Sequence, residues 1–212
     1  MNTDDLIKAM AADLPNRPTP PGRALGQAVL VSVPIALGLF LYALKVRPDI
    51  AAALQSVRFD FKLASMGLLA LTGLWLANRL SRPGTPARPA VIALMLVLAA
   101  LLVAVGIEMM VIPSAYWMPR LVGTMSMTCL TTIPVMAAGP LAAMLFAMRQ
   151  GAPTNTTAAG AAAGLVAGGI GAFFYAPACI NDSPLYIAVW YLLGIAAVVV
   201  AGALAGRFAL KW

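Results

Sequence analysis

The 212-residue chain is 62% hydrophobic and only 10% charged, where a soluble domain is about 45–50% apolar and about 25% charged. It carries a net charge of +7 and no histidine, so the usual catalytic base and commonest metal ligand is missing. These figures exclude a soluble domain, and nucleic acid is not the natural partner, because the basic residues sit in short loops between apolar runs, where they set orientation.

In chain order, Met1–Pro21 is the only extended polar segment before the first apolar run. Thr3 can cap a short helix, and Asp4 and Asp5 in its first turn suit the helix dipole. Leu6, Ile7, Met10 and Leu14 fall on one face at helical spacing, with Asp4 and Lys8 an i,i+4 pair on the other side. Pro15 stops the helix, and Pro18, Pro20 and Pro21 make the following link stiff. A helix this short is marginal in water alone, so it needs a surface: a partner protein, the membrane interface or its own bundle. The expected division is an N-terminal segment over 1–23, a partner-binding one if a partner protein supplies that surface, and a six-span membrane domain over 24–212.

Six apolar runs follow, at Ala24–Leu44, Phe61–Leu80, Ala90–Pro113, Leu121–Met148, Thr157–Pro177 and Leu185–Gly206. Each reaches the roughly 20 residues that cross a bilayer core, and the fourth is long enough to overshoot or tilt. The predicted fold class is therefore an all-α membrane protein: a six-transmembrane-helix bundle with a short cytoplasmic N-terminal amphipathic helix. With six spans both termini share a side. That side holds nine basic residues (Lys8, Arg17, Arg23, Arg79, Arg82, Arg88, Arg149, Arg207, Lys211) and the other holds five (Lys45, Arg47, Arg58, Lys62, Arg120). The bias puts both termini in the cytoplasm. Gly160, Gly164 and Gly168 in the fifth run let helices approach closely, either within the chain or at a homo-oligomer seam. Asn155-Thr156-Thr157 matches a glycosylation pattern but falls in a cytoplasmic loop and is discounted.

No enzyme motif stands out: there is no phosphate-binding Gly-rich loop, no paired carboxylates and no nucleophile with a base. The chemistry rests on the stretch Cys179 to Tyr191. Ser183 is a good N-cap and Pro184 suits the first helical position, while Tyr186, Trp190 and Tyr191 read as boundary aromatics. The only cysteines are Cys129, about two turns into the fourth run, and Cys179, in the last exported loop. If spans four and five pack together the two could meet, and close as a disulfide or bind a soft or transition metal ion as thiolates. A following helix start favours a thiolate at Cys179, and Asp182 opposes it. Met109, Met110, Met118, Met125 and Met127 cluster near the same face, as soft ligands or as gap-filling side chains. Glu108 is the one acid well inside an apolar run, a functional candidate or a solvated group near the exported surface.

The chain resembles the NrsF type of membrane anti-sigma factors, bacterial inner-membrane proteins that negatively regulate an extracytoplasmic-function sigma factor. The start Thr3-Asp4-Asp5-Leu6-Ile7 is similar to the family's N-terminal motif, and the basic end Gly206 to Trp212 is similar to its Trp-terminated tail. One cysteine lies in the fourth span, and the second opens a pattern completed by Asp182, Pro184, Trp190 and Tyr191. Members often carry histidine just before that cysteine, and here Ala178 stands there. The resemblance implies a cytoplasmic N-terminal helix that holds the sigma factor at the membrane, in contact with membrane lipids. It also implies exported cysteines that sense metal or oxidative stress, with no resident cofactor and no catalysis. The rival readings are a small metal-ion transporter or channel using Glu108 and the methionines, and a membrane thiol oxidoreductase.

Overall fold

The computed structural model describes residues 2–12 and 20–210. Leu14, Arg17, Lys211, Trp212 and the side chain of Met10 lie outside the described residues. The described chain is helical, with no strand. In order it forms α1 (Thr3–Ala12), α2 (Pro21–Ala43), α3 (Ile50–Ala53), α4 (Val57–Leu80), α5 (Arg88–Val111), α6 (Trp117–Val122), α7 (Ser126–Met148), α8 (Thr156–Tyr175), α9 (Pro184–Tyr186) and α10 (Leu192–Ala209). A 3-10 turn over Ala176–Ala178 extends α8, and a π-helical turn over Ile187–Tyr191 joins α9 to α10. Six helical stretches are long and apolar enough to cross a membrane: Pro21–Ala43, Val57–Leu80, Arg88–Val111, Ser126–Met148, Thr156–Ala178 and Pro184–Ala209.

The fourth apolar run does not continue as one long helix from Leu121. Gly123 breaks it, with φ at +58, a left-handed conformation that costs glycine little and other residues more. A Cβ there would also lie 2.6 Å from the Tyr186 ring. The break yields α6 and a 23-residue α7. At about 1.5 Å per residue α7 is about the thickness of a bilayer core, so no overshoot is needed. Pro134 and Pro140 sit inside α7, and such positions are tolerated where neighbouring helices cover the freed carbonyls.

The bundle is organised around α8, because its small side chains let four helices approach it. The glycine stripe is used within the chain. Gly160 meets Gly202 and Gly206 of α10, and Gly164 meets Val198, where a Cβ would fall 2.5 Å from the carbonyl oxygen. On its other sides Gly169 touches Ala70 of α4, and Gly171 touches Ile133 and Ala137 of α7. Close backbone approach of this kind gains dispersion contact where no hydrophobic driving force separates helix from lipid. The result is that 67% of the α8 span is buried, against 11% for α5, which leans chiefly on α4.

The connections gather at two ends. One end carries the α2–α4 connection, the α5–α7 connection and residues 179–183; there the Arg47 N–H donates to the Pro177 carbonyl at 3.0 Å. The other end carries the α4–α5 and α7–α8 connections, where the Ala152 N–H donates to the Ser81 carbonyl at 3.2 Å.

Candidate functional site

The two cysteines meet at the first end. Cys129 is the fourth residue of α7 and donates its N–H to the Met125 carbonyl, so it sits one turn inside the helix rather than two. A run that starts at Leu121 includes residues of α6 and the Gly123 break, which the structure separates from α7. Cys179 follows the 3-10 turn in extended backbone, φ −91 and ψ 121. Both side chains are fully buried and both thiols are free, with the sulfurs 3.9 Å apart.

Aromatic side chains close the space around the pair. The Cys129 sulfur lies 3.4 Å from the Tyr175 hydroxyl and 3.0 Å from that of Tyr186. The Tyr191 ring packs on both tyrosines, at 5.8 Å and 6.3 Å between centroids. Tyr186 and Tyr191 are therefore core residues and not members of a boundary belt; the π-turn carries Tyr191 inward onto the thiols. Trp190 remains half-buried and donates its indole N–H to the Leu121 carbonyl at 2.8 Å.

The loop that bears Cys179 is pinned by charge. Lys62, fully buried in the first turns of α4, donates to Asp182 at 2.6 Å, to the Cys179 carbonyl at 2.9 Å and to the Asn181 carbonyl at 3.3 Å. Its ammonium also sits over the rings of Phe59, at 5.3 Å, and Tyr191, at 5.7 Å. Arg47 donates to the other Asp182 oxygen at 2.6 Å and to Asp49 through two nitrogens, at 2.8 and 2.7 Å. Asp49 and Asp182 together hold the Arg47 guanidinium above its ordinary range, and Arg47 holds the Asp49 carboxyl down to about 2. Asp182 does not act on Cys179 as a free negative charge, because two cations answer it. The hydrogen-bonding contact of the Cys179 sulfur with the Cys129 thiol, helped by the nearby Lys62 ammonium, pulls the Cys179 thiol down to about 6 against burial that pushes it up.

Glu108 has a structural task. It is 4% exposed, and its carboxylate accepts from the Ser183 hydroxyl at 2.6 Å, the Leu185 N–H at 3.1 Å and Arg120 at 3.0 Å, with Arg58 at 3.7 Å. The expected Ser183 cap is thus replaced: Ser183 stands at the N-cap but makes no side-chain bond to the next turn, and Glu108 of α5 satisfies the helix start in its place. These contacts overturn the reading of Glu108 as a solvated group.

The methionines do not assemble. Met110, Met118 and Met127 are exposed, at 89%, 66% and 68%, and Met109 and Met125 are half-buried; the methionines packed in the cluster with both thiols are Met66 and Met136. Among the described residues no three His, Cys, Asp or Glu side chains come together as a metal set, so a soft ion here would meet the two sulfurs and the phenols around them. At the far end of the sequence-predicted site set, Asp4, Asp5, Leu6 and Ile7 are exposed on α1, with Leu6 at 44% and Ile7 at 59%.

Lys62, Arg47 and Tyr175 went unnoticed in the sequence. The signal for Lys62 was present: an ionisable group inside an apolar run is a functional candidate, and Lys62 is the second residue of the run at Phe61–Leu80. Arg47 and Tyr175 carried no such signal.

The family model described as NrsF, negative regulator of sigma F, matches residues 10–212. The anti-sigma-F factor NrsF of Caulobacter vibrioides (strain NA1000 / CB15N) is 38% identical over 215 residues, which cover 100% of both chains. The "probable anti-sigma-F factor NrsF" of Azospira oryzae (strain ATCC BAA-33 / DSM 13638 / PS) is 30% identical over 217 residues, again covering 100% of both. No solved structure matches. The matched region runs through α2 to α10, with Cys129, Cys179 and the residues that pin them inside it, and the chain belongs to the NrsF family of negative regulators of sigma F.

Proposed function

We propose that this chain holds a sigma factor of the extracytoplasmic-function type at the bacterial inner membrane and releases it when Cys129 and Cys179 change state together. Family membership supports the anti-sigma role, and the family is one of regulators rather than enzymes. The observation that carries the switch is the 3.9 Å between two free, buried sulfurs. Two thiolates on one tetrahedral ion at about 2.3 Å stand about 3.8 Å apart, so a soft ion can be chelated with little movement. A disulfide needs about 2.05 Å, so oxidation draws the sulfurs together by nearly 2 Å. With a peroxide as oxidant, the two thiols give up two electrons and two protons and the peroxide leaves as water.

Either event ties α7 to the loop after α8. That loop is held by Lys62, so α4 receives the strain at one end. The 24 residues of α4 run about 36 Å to the other end. There the Asn78 and Arg82 side chains crowd Gly22, at the root of the arm 1–23. A packed helix with two discrete positions is the kind of element that carries a local switch over this distance. In this reading the arm binds the sigma factor through Leu6 and Ile7, with Met10 and Leu14 completing the face in sequence, and Asp4 and Asp5 steer toward a basic surface. Both termini are cytoplasmic, which keeps the arm on the side of the transcription machinery.

The arm is tested by pull-down of the sigma factor with Leu6→Ala/Ile7→Ala. The expected result is loss of the sigma factor from membranes that contain a normal amount of this protein. Undiminished pull-down would remove the arm from the account.

A further inference from the structure

Among the described residues every ion pair lies at the thiol end: Arg47 with Asp49 and Asp182, Lys62 with Asp182, and Arg58 and Arg120 with Glu108. The opposite end of the bundle carries Arg23, Arg79, Arg82, Arg88, Arg149 and Arg207 and no acidic residue of α2 to α10. No acidic residue of α2 to α10 answers the positive charge there.

An apolar groove opens at the same end. It has a volume of about 400 Å³, within the roughly 300–1,000 Å³ of small-molecule sites, and runs between the α4–α5 pair and the α8–α10 pair. Leu76 and Leu80 of α4, Val91 and Leu94 of α5, Ala161 of α8 and Val199 of α10 form its walls. Its wall residues Leu80 and Ala87 directly adjoin Arg79 and Arg88 in the chain. The Arg207 guanidinium reaches the same rim, donating to the Thr157 hydroxyl at 3.2 Å beside the wall residue Ala158. The groove also flanks α5, the span that the protein itself buries least.

An apolar slot whose wall residues adjoin Arg79 and Arg88 in the chain, with the Arg207 guanidinium beside it and no acidic residue of α2 to α10 at that end, matches one class of molecule. We propose that the groove holds an acyl chain of an anionic glycerophospholipid, with the phosphate among Arg79, Arg88 and Arg207. Arginine suits the phosphate because its fork of donors meets two oxygens at once, and the chain suits the slot because hydrocarbon has no polar group to leave unpaired. The lipid braces α5 against α8 and α10, at the opposite end of α5 from Glu108.

The test uses the full chain, stripped of lipid in a neutral detergent. Phosphatidylglycerol, phosphatidylcholine with identical chains, and inorganic phosphate are added separately, and native mass spectrometry and the thermal midpoint are read together. Phosphatidylglycerol should be retained at least about tenfold better than phosphatidylcholine and raise the midpoint, while inorganic phosphate does neither. Arg88→Gln/Arg207→Gln, which changes only exposed side chains, should erase the preference between the two lipids. Ala161→Phe, which fills the slot, should reduce retention of both. Equal retention of the two lipids by the unaltered protein, an unchanged preference in the double arginine variant, or stabilisation by inorganic phosphate alone would overturn the proposal.

Discussion

Asp182→Asn isolates the charge network that pins the Cys179 loop. The Lys62 side chain is 0% exposed and Asp182 is its one anionic partner, at 2.6 Å. Neutralising Asp182 leaves a buried ammonium with neutral acceptors alone: an amide oxygen in place of the carboxylate, and the Cys179 and Asn181 carbonyls at 2.9 and 3.3 Å. Breaking a buried pair in this way costs about 3–5 kcal/mol, most of it for the stranded charge. Lys62→Met is a milder change, because Asp182 keeps Arg47 at 2.6 Å; it loses the charge-assisted bond to Asp182, about 1.5–3 kcal/mol, together with the weaker bonds to the Cys179 and Asn181 carbonyls but strands no charge. In Lys62→Met/Asp182→Asn no lone buried charge remains, and Arg47 still holds Asp49 at 2.7 Å. The double variant should therefore be more stable than Asp182→Asn alone, a coupling that only direct interaction between the two sites produces. Reversible unfolding in mixed micelles, followed by tryptophan fluorescence, gives the order. A double variant less stable than Asp182→Asn, or Lys62→Met as damaging as Asp182→Asn, would refute the stranded-charge reasoning.

Glu108→Gln keeps an acceptor for Ser183 and Leu185 and loses the charge and the acceptor toward two half-exposed arginines, whereas Glu108→Ala leaves the helix start open and should cost roughly 1–3 kcal/mol in the same assay. Equal effects of the two would show that the cap is unimportant. The lowered Cys179 thiol gives a pH prediction with a definite sign: below about 6 it is protonated and a poor nucleophile, and above about 6 it is a thiolate. Peroxide-driven loss of free thiol should rise with a midpoint near 6, where an ordinary cysteine gives about 8.5. A midpoint at the ordinary value would remove Lys62 and Cys129 as its tuning partners.

The spans were legible because about 20 apolar residues between loop charges have few alternatives, and the glycine repeat at 160, 164 and 168 announced close packing. Hydrophobicity alone could not show that Gly123 divides the fourth run, since Thr124 and Ser126 are too few and too weakly polar to interrupt it, and the break lies in the positive φ of Gly123. The same limit displaced Cys129 by a turn. The thiol pair was legible as a possibility of span packing, but its surroundings were not. Glu108 meets Arg120 and Ser183, which are 12 and 75 positions away, and Lys62 meets Asp182 across 120. Tyr186 and Tyr191 have the composition of a boundary belt, and only the π-turn over Ile187–Tyr191 shows them turned into the core. Partners fixed by tertiary approach leave no spacing to read.

The most direct test of the thiol switch uses the complex of this protein with its sigma factor in mild detergent, exposed to hydrogen peroxide or to a thiophilic ion such as zinc or copper(I), with the bound sigma factor measured. The unaltered protein should release most of it under at least one of these stimuli. Cys129→Ser, Cys179→Ser and the double variant should all retain it to the same degree, because the two sulfurs work as a unit at 3.9 Å. Full release from the double serine variant would contradict the account and leave both cysteines as packing residues.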